Sequence, residues 1–184
     1  TPSLKLDAWQ VDSFHYYAGM CDKFEGRLIP AEVPDVHNYL KWEPFGVCGL
    51  ILPWNSPIGT LIWKLAPCLA AGNTAVIKPS EQASCSTLDL MDVLLEADLP
   101  PGVLNVVTAS DPAEVGDVLT ADPRVDLISF TGSTSVGRHV MQRASKTLKR
   151  VFLELGGKSA NIILDDADFE AVMPSGAMVC MHAG

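Results

Sequence analysis

The chain has 184 residues, 48% of them apolar, which is enough to fill one hydrophobic core at that length. Its 13 Lys and Arg against 22 Asp and Glu give a net charge of -9, which repels a phosphate backbone and disfavours a nucleic-acid partner. The five cysteines form no C-x-x-C pair, so we expect no zinc site and a reducing, cytoplasmic location. The longest apolar stretch, residues 47–69, is broken by prolines and polar residues, so no membrane span is expected.

The N-terminal part of the chain divides into two predicted units. Apolar residues recur at steps of three or four from Leu4 to Cys21, which predicts an amphipathic helix that ends near Gly26. Residues 29–44 are rich in β-branched and aromatic residues with prolines between them, which predicts a protruding β-hairpin. We therefore expect residues 1–28 to form a helical unit, 29–44 a hairpin and 45–184 the body of the domain.

From residue 45 onward, short apolar runs alternate with stretches of helical spacing. The predicted strands, apolar enough for a sheet covered on both faces, are residues 47–52, 74–77, 103–108, 125–130 and 151–155. The predicted helices are residues 58–71, 84–97, 112–120 and 135–145. This alternation implies right-handed crossovers and an α/β fold with a doubly wound parallel sheet. Such a sheet binds its ligand at the carboxyl ends of its strands.

Several helix ends and two further elements complete the predicted layout. Gly72 is expected to end the helix 58–71. Asp111 is expected to cap the helix 112–120, with Glu114 as its capping-box partner. Residues 160–164 are predicted to form another strand, and residues 169–182 a helix.

The first candidate motif, residues 52–57, lies where a buried strand passes into a helix. Pro53 and Pro57 fix the direction of the backbone there, and the side-chain amide of Asn55 has N–H donors for charge that develops at the strand end. A capped turn with Asn55 at the helix start is an equally good interpretation.

The second motif places Lys78 and Glu81 just after the next predicted strand. A carboxylate at such a sheet edge can accept hydrogen bonds from both hydroxyls of a nucleotide ribose. The alternative is a solvated loop that carries an ordinary surface salt bridge, worth about 0 to 1 kcal/mol.

The third motif, residues 130–137, joins a strand end to a helix start through a tight turn at Gly132. The free N–H groups and the positive end of the helix dipole at such a turn suit a phosphate. The motif differs from the G-x-G-x-x-G fingerprint, and short glycine turns of this kind are common at strand-helix junctions.

The fourth motif is Glu154, near the end of an otherwise apolar strand and followed by Gly156 and Gly157. Partial burial would raise its pKa toward that of a general base, and the glycines would let a ligand approach the backbone. A structural salt bridge is the alternative interpretation.

These four motifs, in this order and each after a predicted strand, resemble the aldehyde dehydrogenase superfamily from about residue 29 to the last residue. The resemblance implies a variant Rossmann domain over residues 45–184, with the adenosine half of NAD(P) against the strand ends. The resemblance implies that the cofactor cleft is lined by Ile51, Leu52, Pro53 and Trp54. It implies that the adenosine ribose is held by Lys78 and Glu81, and that the pyrophosphate and adenine lie near Gly132, Ser133 and Val136. It also implies that the nicotinamide is approached by Leu155 and Gly156. Glu81 favours NAD over NADP, because a 2′-phosphate beside a carboxylate suffers like-charge repulsion.

The resemblance also implies a reaction, the oxidation of a small aldehyde through a cysteine thioester. Asn55 matches the asparagine that stabilises the oxyanion, and Glu154 matches the glutamate that activates water. The nucleophilic cysteine is expected in a segment that would begin about where Gly184 ends this chain, since Cys180 lies too early and is expected to be a packing residue. The chain is thus expected to be an internal piece of a longer polypeptide, inactive by itself.

Two other functions are compatible with the same motifs: a non-catalytic NAD-binding module, and a reductase of acyl-phosphates on the same fold. Under the resemblance, the hairpin implies a homo-dimer or homo-tetramer.

Overall fold

The computed structural model describes residues 6–181. Its helices are α1 (Ala8–Met20), α2 (Pro57–Ala70), α3 (Ser84–Leu95), α4 (Pro112–Ala121), α5 (Thr134–Ala144) and α6 (Phe169–Met181). Its strands are β1 (Arg27–Ile29), β2 (Asn38–Leu40), β3 (Val47–Ile51), β4 (Thr74–Lys78), β5 (Leu104–Val106), β6 (Leu127–Gly132) and β7 (Arg150–Leu155). The predicted helix 169–182 is confirmed as far as Met181, and its last residue lies outside the described part, as does Leu4 of the predicted first helix.

The main sheet is five-stranded and parallel, in the order β5-β4-β3-β6-β7. From β3 the chain passes through α2 to β4 and then outward to β5, after which α4 brings it back to β6 on the other side of β3. The doubly wound parallel sheet is therefore confirmed. Its topological switch point lies between β3 and β6, where ligands of such sheets bind.

The hydrophobic core lies on both faces of β3, because successive side chains of a strand point to opposite faces. Leu50 belongs to a cluster on one face with Leu61 and Leu65 of α2. Ile51 belongs to a cluster on the other face with Leu119 of α4 and Val140 of α5. The predicted two-sided cover is thus confirmed for β3, which the helices bury from both sides.

The predicted hairpin is present as the antiparallel pair β1 and β2, with Arg27 opposite Leu40. Its first strand begins two residues before the predicted boundary and ends at Ile29. It ends there because Pro30 follows, and proline cannot donate to a strand ladder. Apolar side chains on both strands, including Leu28 and Tyr39, are exposed.

Helix α1 is shorter than predicted. It begins after Asp7, whose backbone N–H donates to the side chain of Gln10 at 2.8 Å, and it ends at Met20 instead of near Gly26. After Cys21 come the charged residues Asp22, Lys23 and Glu25 and the helix-disfavouring Gly26, so Phe24 alone offers no continuous apolar face to extend the helix. The helix packs against α2, where the rings of Trp9 and Trp63 lie 5.3 Å apart.

Asp111 and Gly72 lie at the helix ends where they were predicted, but within residues 6–181 no hydrogen bond joins the backbone N–H of Asp111 to the side chain of Glu114, so the capping box is not found. The side chain of Asp111 accepts a hydrogen bond from the backbone N–H of Ala113 at 2.9 Å, with Glu114 in the first turn of α4. Gly72 follows α2 with φ of +78°, a backbone conformation that favours glycine.

The strand prediction for residues 160–164 is wrong. This segment is irregular and its apolar residues Ile162 and Leu164 are exposed. A strand needs a neighbour to satisfy its backbone groups, and in the described chain β7 forms the edge of the sheet with no strand beyond it. Strand β5 is likewise shorter than the predicted run 103–108.

Residues 6–181, the described part of the chain, contain neither a membrane-spanning helix nor a metal-binding cluster. None of the helices there combines the length and apolar character needed to cross a bilayer. In the same residues, no three or more His, Cys, Asp or Glu side chains come together in a group that could hold a metal ion.

The core cluster on α2 supports a stability prediction. Leu61 is 0% exposed, so Leu61→Ala should leave a cavity and lower the free energy of unfolding by about 2–5 kcal/mol. The matched control Leu95→Ala, at a side chain that is 73% exposed, should change it by less than about 0.5 kcal/mol. Urea unfolding of the purified protein measures both, and equal losses in the two variants would contradict the assignment of the core.

Candidate functional site

The carboxyl ends of β3, β4, β6 and β7 open into one cleft of about 1860 Å³ at the switch point. Every residue predicted for the site lines it: Ile51, Leu52, Pro53, Trp54, Asn55, Lys78, Glu81, Gly132, Ser133, Val136, Glu154, Leu155 and Gly156. Residues from four separate motifs therefore share one cavity.

The turn after β3 places Asn55 at the mouth of the cleft. The helix cap is Ser56, with left-handed φ and ψ of 50°, and Pro57 begins α2. The alternative in which Asn55 caps the helix is therefore wrong by one residue. Among the residues that the structure describes, the side-chain amide of Asn55 has no hydrogen-bond partner, so both its N–H groups are available to a ligand.

Lys78, at the end of β4, is only 4% exposed, and its Nζ donates to the carbonyl of Pro79 at 3.1 Å. Burial lowers the pKa of Lys78, and the negative charge of Glu81 acts in the opposite direction. Glu81 is exposed, and the described residues contain no ion pair between the two side chains. The alternative of a solvated loop with a salt bridge is therefore wrong for Lys78.

The turn from β6 into α5 is built around Gly132 and Ser133. A Cβ at Gly132 would lie 2.5 Å from the ring of Phe130, so this close turn excludes any larger residue. The side chain of Ser133 caps α5 by accepting a hydrogen bond from the N–H of Val136 at 3.3 Å. The positive end of the α5 dipole therefore faces the cleft.

Glu154 lies on β7, opposite Thr131 of β6 in the strand register. The partial burial predicted for it is wrong, because β7 is the edge strand and Glu154 is exposed in the described chain. The alternative of a structural salt bridge is also not found, since no ion pair within 4.0 Å involves Glu154 in residues 6–181. Glu154 nonetheless lines the cleft.

Lys64 of α2 is a cleft residue that the sequence reasoning missed. Its Nζ donates to Oγ of Ser129 on β6 at 2.7 Å. Burial lowers its pKa to about 8, and the negative charge of Glu154 opposes that shift. The available signal was a single lysine within the otherwise apolar helix 58–71.

A second polar group that was not predicted lies between α4 and α5. Nε2 of His139 is 2.7 Å from Oδ1 of Asp117, and both residues line the cleft. Arg143, one turn further along α5, has its NH2 group 3.8 Å from the same carboxylate. These side chains connect the two helices at the wall of the cleft next to Val136.

Fold and site together define a class, the doubly wound α/β domains that bind a ligand at the switch point of a parallel sheet. The comparison with protein families is specific within this class. Residues 7–184 match the aldehyde dehydrogenase family, and the chain belongs to that family.

Several relatives are similar over nearly the whole chain. Betaine aldehyde dehydrogenase of Bacillus subtilis is 46% identical over 172 residues, which cover 93% of this chain and 35% of the relative. Human retinaldehyde dehydrogenase 3 is 45% identical over 175 residues, which cover 95% of this chain and 33% of the relative. The chain thus spans about a third of the length of these relatives.

Solved structures show the same similarity. An aldehyde dehydrogenase from Bacillus cereus, an E194S mutant, superposes with a TM-score of 0.88 and 40% identity, covering 95% of this chain and 35% of that one. Betaine aldehyde dehydrogenase from Staphylococcus aureus in complex with NAD+ gives a TM-score of 0.85 at 40% identity, over 90% of this chain and 34% of that one.

The burial of Lys64 predicts a pH dependence of stability. The pKa of Lys64 is about 8 in the folded protein and has its ordinary value of 10.5 in the unfolded chain. At pH values between these two, the unfolded chain binds more protons at Lys64 than the folded protein does. The contribution of Lys64 therefore makes the free energy of unfolding rise with pH. Lys64→Met removes this contribution, and its stability relative to the unmodified protein should fall steadily across that window. Urea unfolding at pH values spanning the window measures the difference. A difference that does not change with pH would show that Lys64 is not desolvated.

Proposed function

We propose that the protein to which this chain belongs oxidises an aldehyde to a carboxylic acid with NAD(P), through a cysteine thioester. The observation that carries the proposal is the shared cleft, in which the unpartnered amide of Asn55 and the carboxylate of Glu154 both lie at the switch point. Membership of the aldehyde dehydrogenase family supports it. The NAD+ complex of the Staphylococcus aureus relative supports the choice of cofactor.

The cleft offers hydrogen-bond donors and acceptors that suit a bound dinucleotide. We assign Lys78 and Glu81 to the adenosine ribose, because an ammonium and a carboxylate at one strand end can bond its hydroxyls. We assign the start of α5, with Gly132, Ser133 and Val136, to the pyrophosphate and adenine, since a helix N-terminus attracts phosphate. The segment 51–54 forms one wall, and Leu155 and Gly156 lie on the nicotinamide side.

The bound cofactor supplies a hydride acceptor. The chain's own residues then have two tasks. The amide of Asn55 donates a hydrogen bond to the oxygen on which negative charge develops, and the carboxylate of Glu154 takes a proton from the water that releases the acid. We propose that the cysteine nucleophile comes from a part of the protein outside these residues.

Two further proposals concern the state of the protein. The exposed apolar residues of the hairpin, among them Leu28, Tyr39 and Leu40, support pairing of subunits into a homo-dimer or homo-tetramer. The free thiols of Cys21, Cys48, Cys68 and Cys85 support a reducing, cytoplasmic location.

The role of Asn55 gives the principal test. Asn55→Ala in the purified protein should lower kcat for aldehyde oxidation by about 10²–10³-fold, because one oxyanion donor is lost. The affinity for NAD should change little, since the amide acts on the substrate oxygen. The matched control Gln142→Ala, which removes an exposed amide on α5 outside the lining of the cleft, should retain full activity. Steady-state NADH production measures kcat, and an active Asn55→Ala protein, or a wild-type protein that produces no NADH with any aldehyde, would contradict the proposal.

The carboxylate of Glu81 should determine the choice of cofactor. Glu81→Gln removes a negative charge beside the proposed ribose, so the affinity for NADP relative to NAD should rise by roughly tenfold, about 1.4 kcal/mol. Glu96→Gln, an exposed carboxylate at the end of α3, is the charge-matched control and should leave the ratio unchanged. Fluorescence titration with both cofactors gives the two dissociation constants. An unaltered ratio in Glu81→Gln would place the ribose elsewhere.

A further inference from the structure

One amine in the wall of the cleft has no part in the proposed aldehyde oxidation. Lys64 of α2 is half-buried and lines the same cavity as Asn55. Three residues before it and four after it, on the same side of the helix, lie Leu61 and Cys68, both buried in the core. The stem of Lys64 therefore leaves the helix between core residues, and its amine ends beside Ser129, another residue of the cleft.

The amine of Lys64 is not paired with a carboxylate. Within residues 6–181, no ion pair within 4.0 Å involves its Nζ, and its one hydrogen bond is donated to Oγ of Ser129 at 2.7 Å. An ammonium that is partly removed from water and lacks an adjacent carboxylate tends to lose its proton. The pKa of about 8, lowered by burial and opposed only by the more distant charge of Glu154, agrees with this geometry.

The hydrogen bond to Ser129 leaves the neutral amine able to react. A neutral amine keeps two N–H groups, and one of them can still donate to the hydroxyl oxygen, so the nitrogen lone pair stays free for an electrophile. Lys78 is the other lysine in the described lining of the cleft, but it is only 4% exposed. An attacking molecule therefore reaches Lys64 more easily than Lys78.

We propose that Lys64 is a covalent site for small aldehydes, which it binds as an imine. The nitrogen lone pair attacks the carbonyl carbon, the C=O double bond becomes a single bond, and a proton passes from nitrogen to oxygen, giving a carbinolamine. The C–O bond then breaks, the hydroxyl leaves with the remaining nitrogen proton as water, and a C=N double bond forms. One amine and one aldehyde become one imine and one water, so no oxidant or reductant is consumed.

The half-buried position of Lys64 determines the class of ligand. The carbonyl carbon of an aldehyde carries only one carbon substituent, so it can approach an amine in a cleft wall more closely than that of a ketone. Formation of a neutral imine also removes the need to keep an unpaired ammonium in this position. The inference does not depend on the proposed oxidation, since an imine forms without NAD and without a cysteine.

Reductive trapping of the purified protein tests the proposal. The protein is treated at about pH 7.5, without NAD, with a limiting amount of propanal and sodium cyanoborohydride, which converts each imine into a stable propyl-lysine. Digestion after glutamate releases residues 33–81 as one peptide, because the glutamate inside it precedes Pro44 and the protease does not cleave there. This peptide contains Lys41, Lys64 and Lys78, and tandem mass spectrometry assigns the propyl group among them.

We expect Lys64 to carry at least about ten times as much label as Lys41. The side chain of Lys41 is 69% exposed, so an exposed lysine lies within the same peptide as an internal control. Near pH 7.5 the neutral amine is far more abundant at Lys64 than at a lysine with the ordinary pKa of 10.5. In urea-denatured protein the two lysines should be labelled equally, because the difference comes from the fold.

Two variants make the result specific. Lys64→Arg keeps a positive charge beside Ser129 but cannot lose its proton to form an imine, so the label in residues 33–81 should fall by about tenfold. The matched control Lys146→Arg, at an exposed lysine outside the lining of the cleft, should leave the label on Lys64 unchanged. The distribution of label in the unmodified protein decides the matter even if Lys64→Arg does not fold. Equal labelling of Lys41 and Lys64 in the folded protein, or faster labelling of Lys78, would overturn the proposal.

Discussion

Strand β3 occupies the centre of the sheet, with β4 on one side and β6 on the other, and its side chains are buried on both faces. Leu50 anchors the cluster beneath α2, and Ile51 the cluster beneath α4 and α5. The helical connections on the two sides of β3 run in opposite directions, one toward β4 and the other toward β6. The turn that follows β3 therefore has no helix directly above it. The cleft exists at that point for this reason, and Asn55 stands at its mouth because β3 ends four residues earlier.

Helix α2 serves the core and the cleft at the same time. One side carries Leu61 and Leu65 into the core, while Lys64 reaches across to Ser129 and the charge of Glu154. Burying an ammonium costs free energy, and the pKa of about 8 records that cost. A hydrogen bond and a neighbouring carboxylate offset part of it. Ser129 lies on β6 and Glu154 lies on β7, so the register of these two strands with β3 determines whether their side chains reach Lys64. The charged form of Lys64 at the cleft wall therefore depends on that register.

The sequence was sufficient for those parts of the fold that depend on local periodicity. The runs that became β3 and β4 are apolar on both faces, and the helix between them is bounded by Pro57 and Gly72, so local chemistry fixes its ends. The four motifs could be placed in one cleft because parallel strands end at the same edge of a sheet. Lys64 was missed because its partner Ser129 is 65 residues away in the chain, a pairing that no local pattern reveals.

Two of the errors have a common cause. Burial of Glu154 and a strand at 160–164 were both inferred from apolar composition, and both segments lie at or beyond the edge strand β7. Composition predicts that a segment is suited to burial, whereas burial itself requires a neighbouring element. Within residues 6–181 no element covers that edge, so Phe152, Leu155 and Ile162 are exposed.

The order of the strands also determines what kind of ligand the cleft can accept. Lys78 ends β4 and Glu154 lies near the end of β7, with β3 and β6 between them. Neighbouring strands are about 4.8 Å apart, so a ligand that touches both residues must extend across about 14 Å. A small aldehyde alone is too short to do so, while an extended dinucleotide is long enough. Strand order therefore separates Lys78, which we propose to hold the ribose, from Glu154, which we propose to activate water, and Asn55 lies between them at the end of β3.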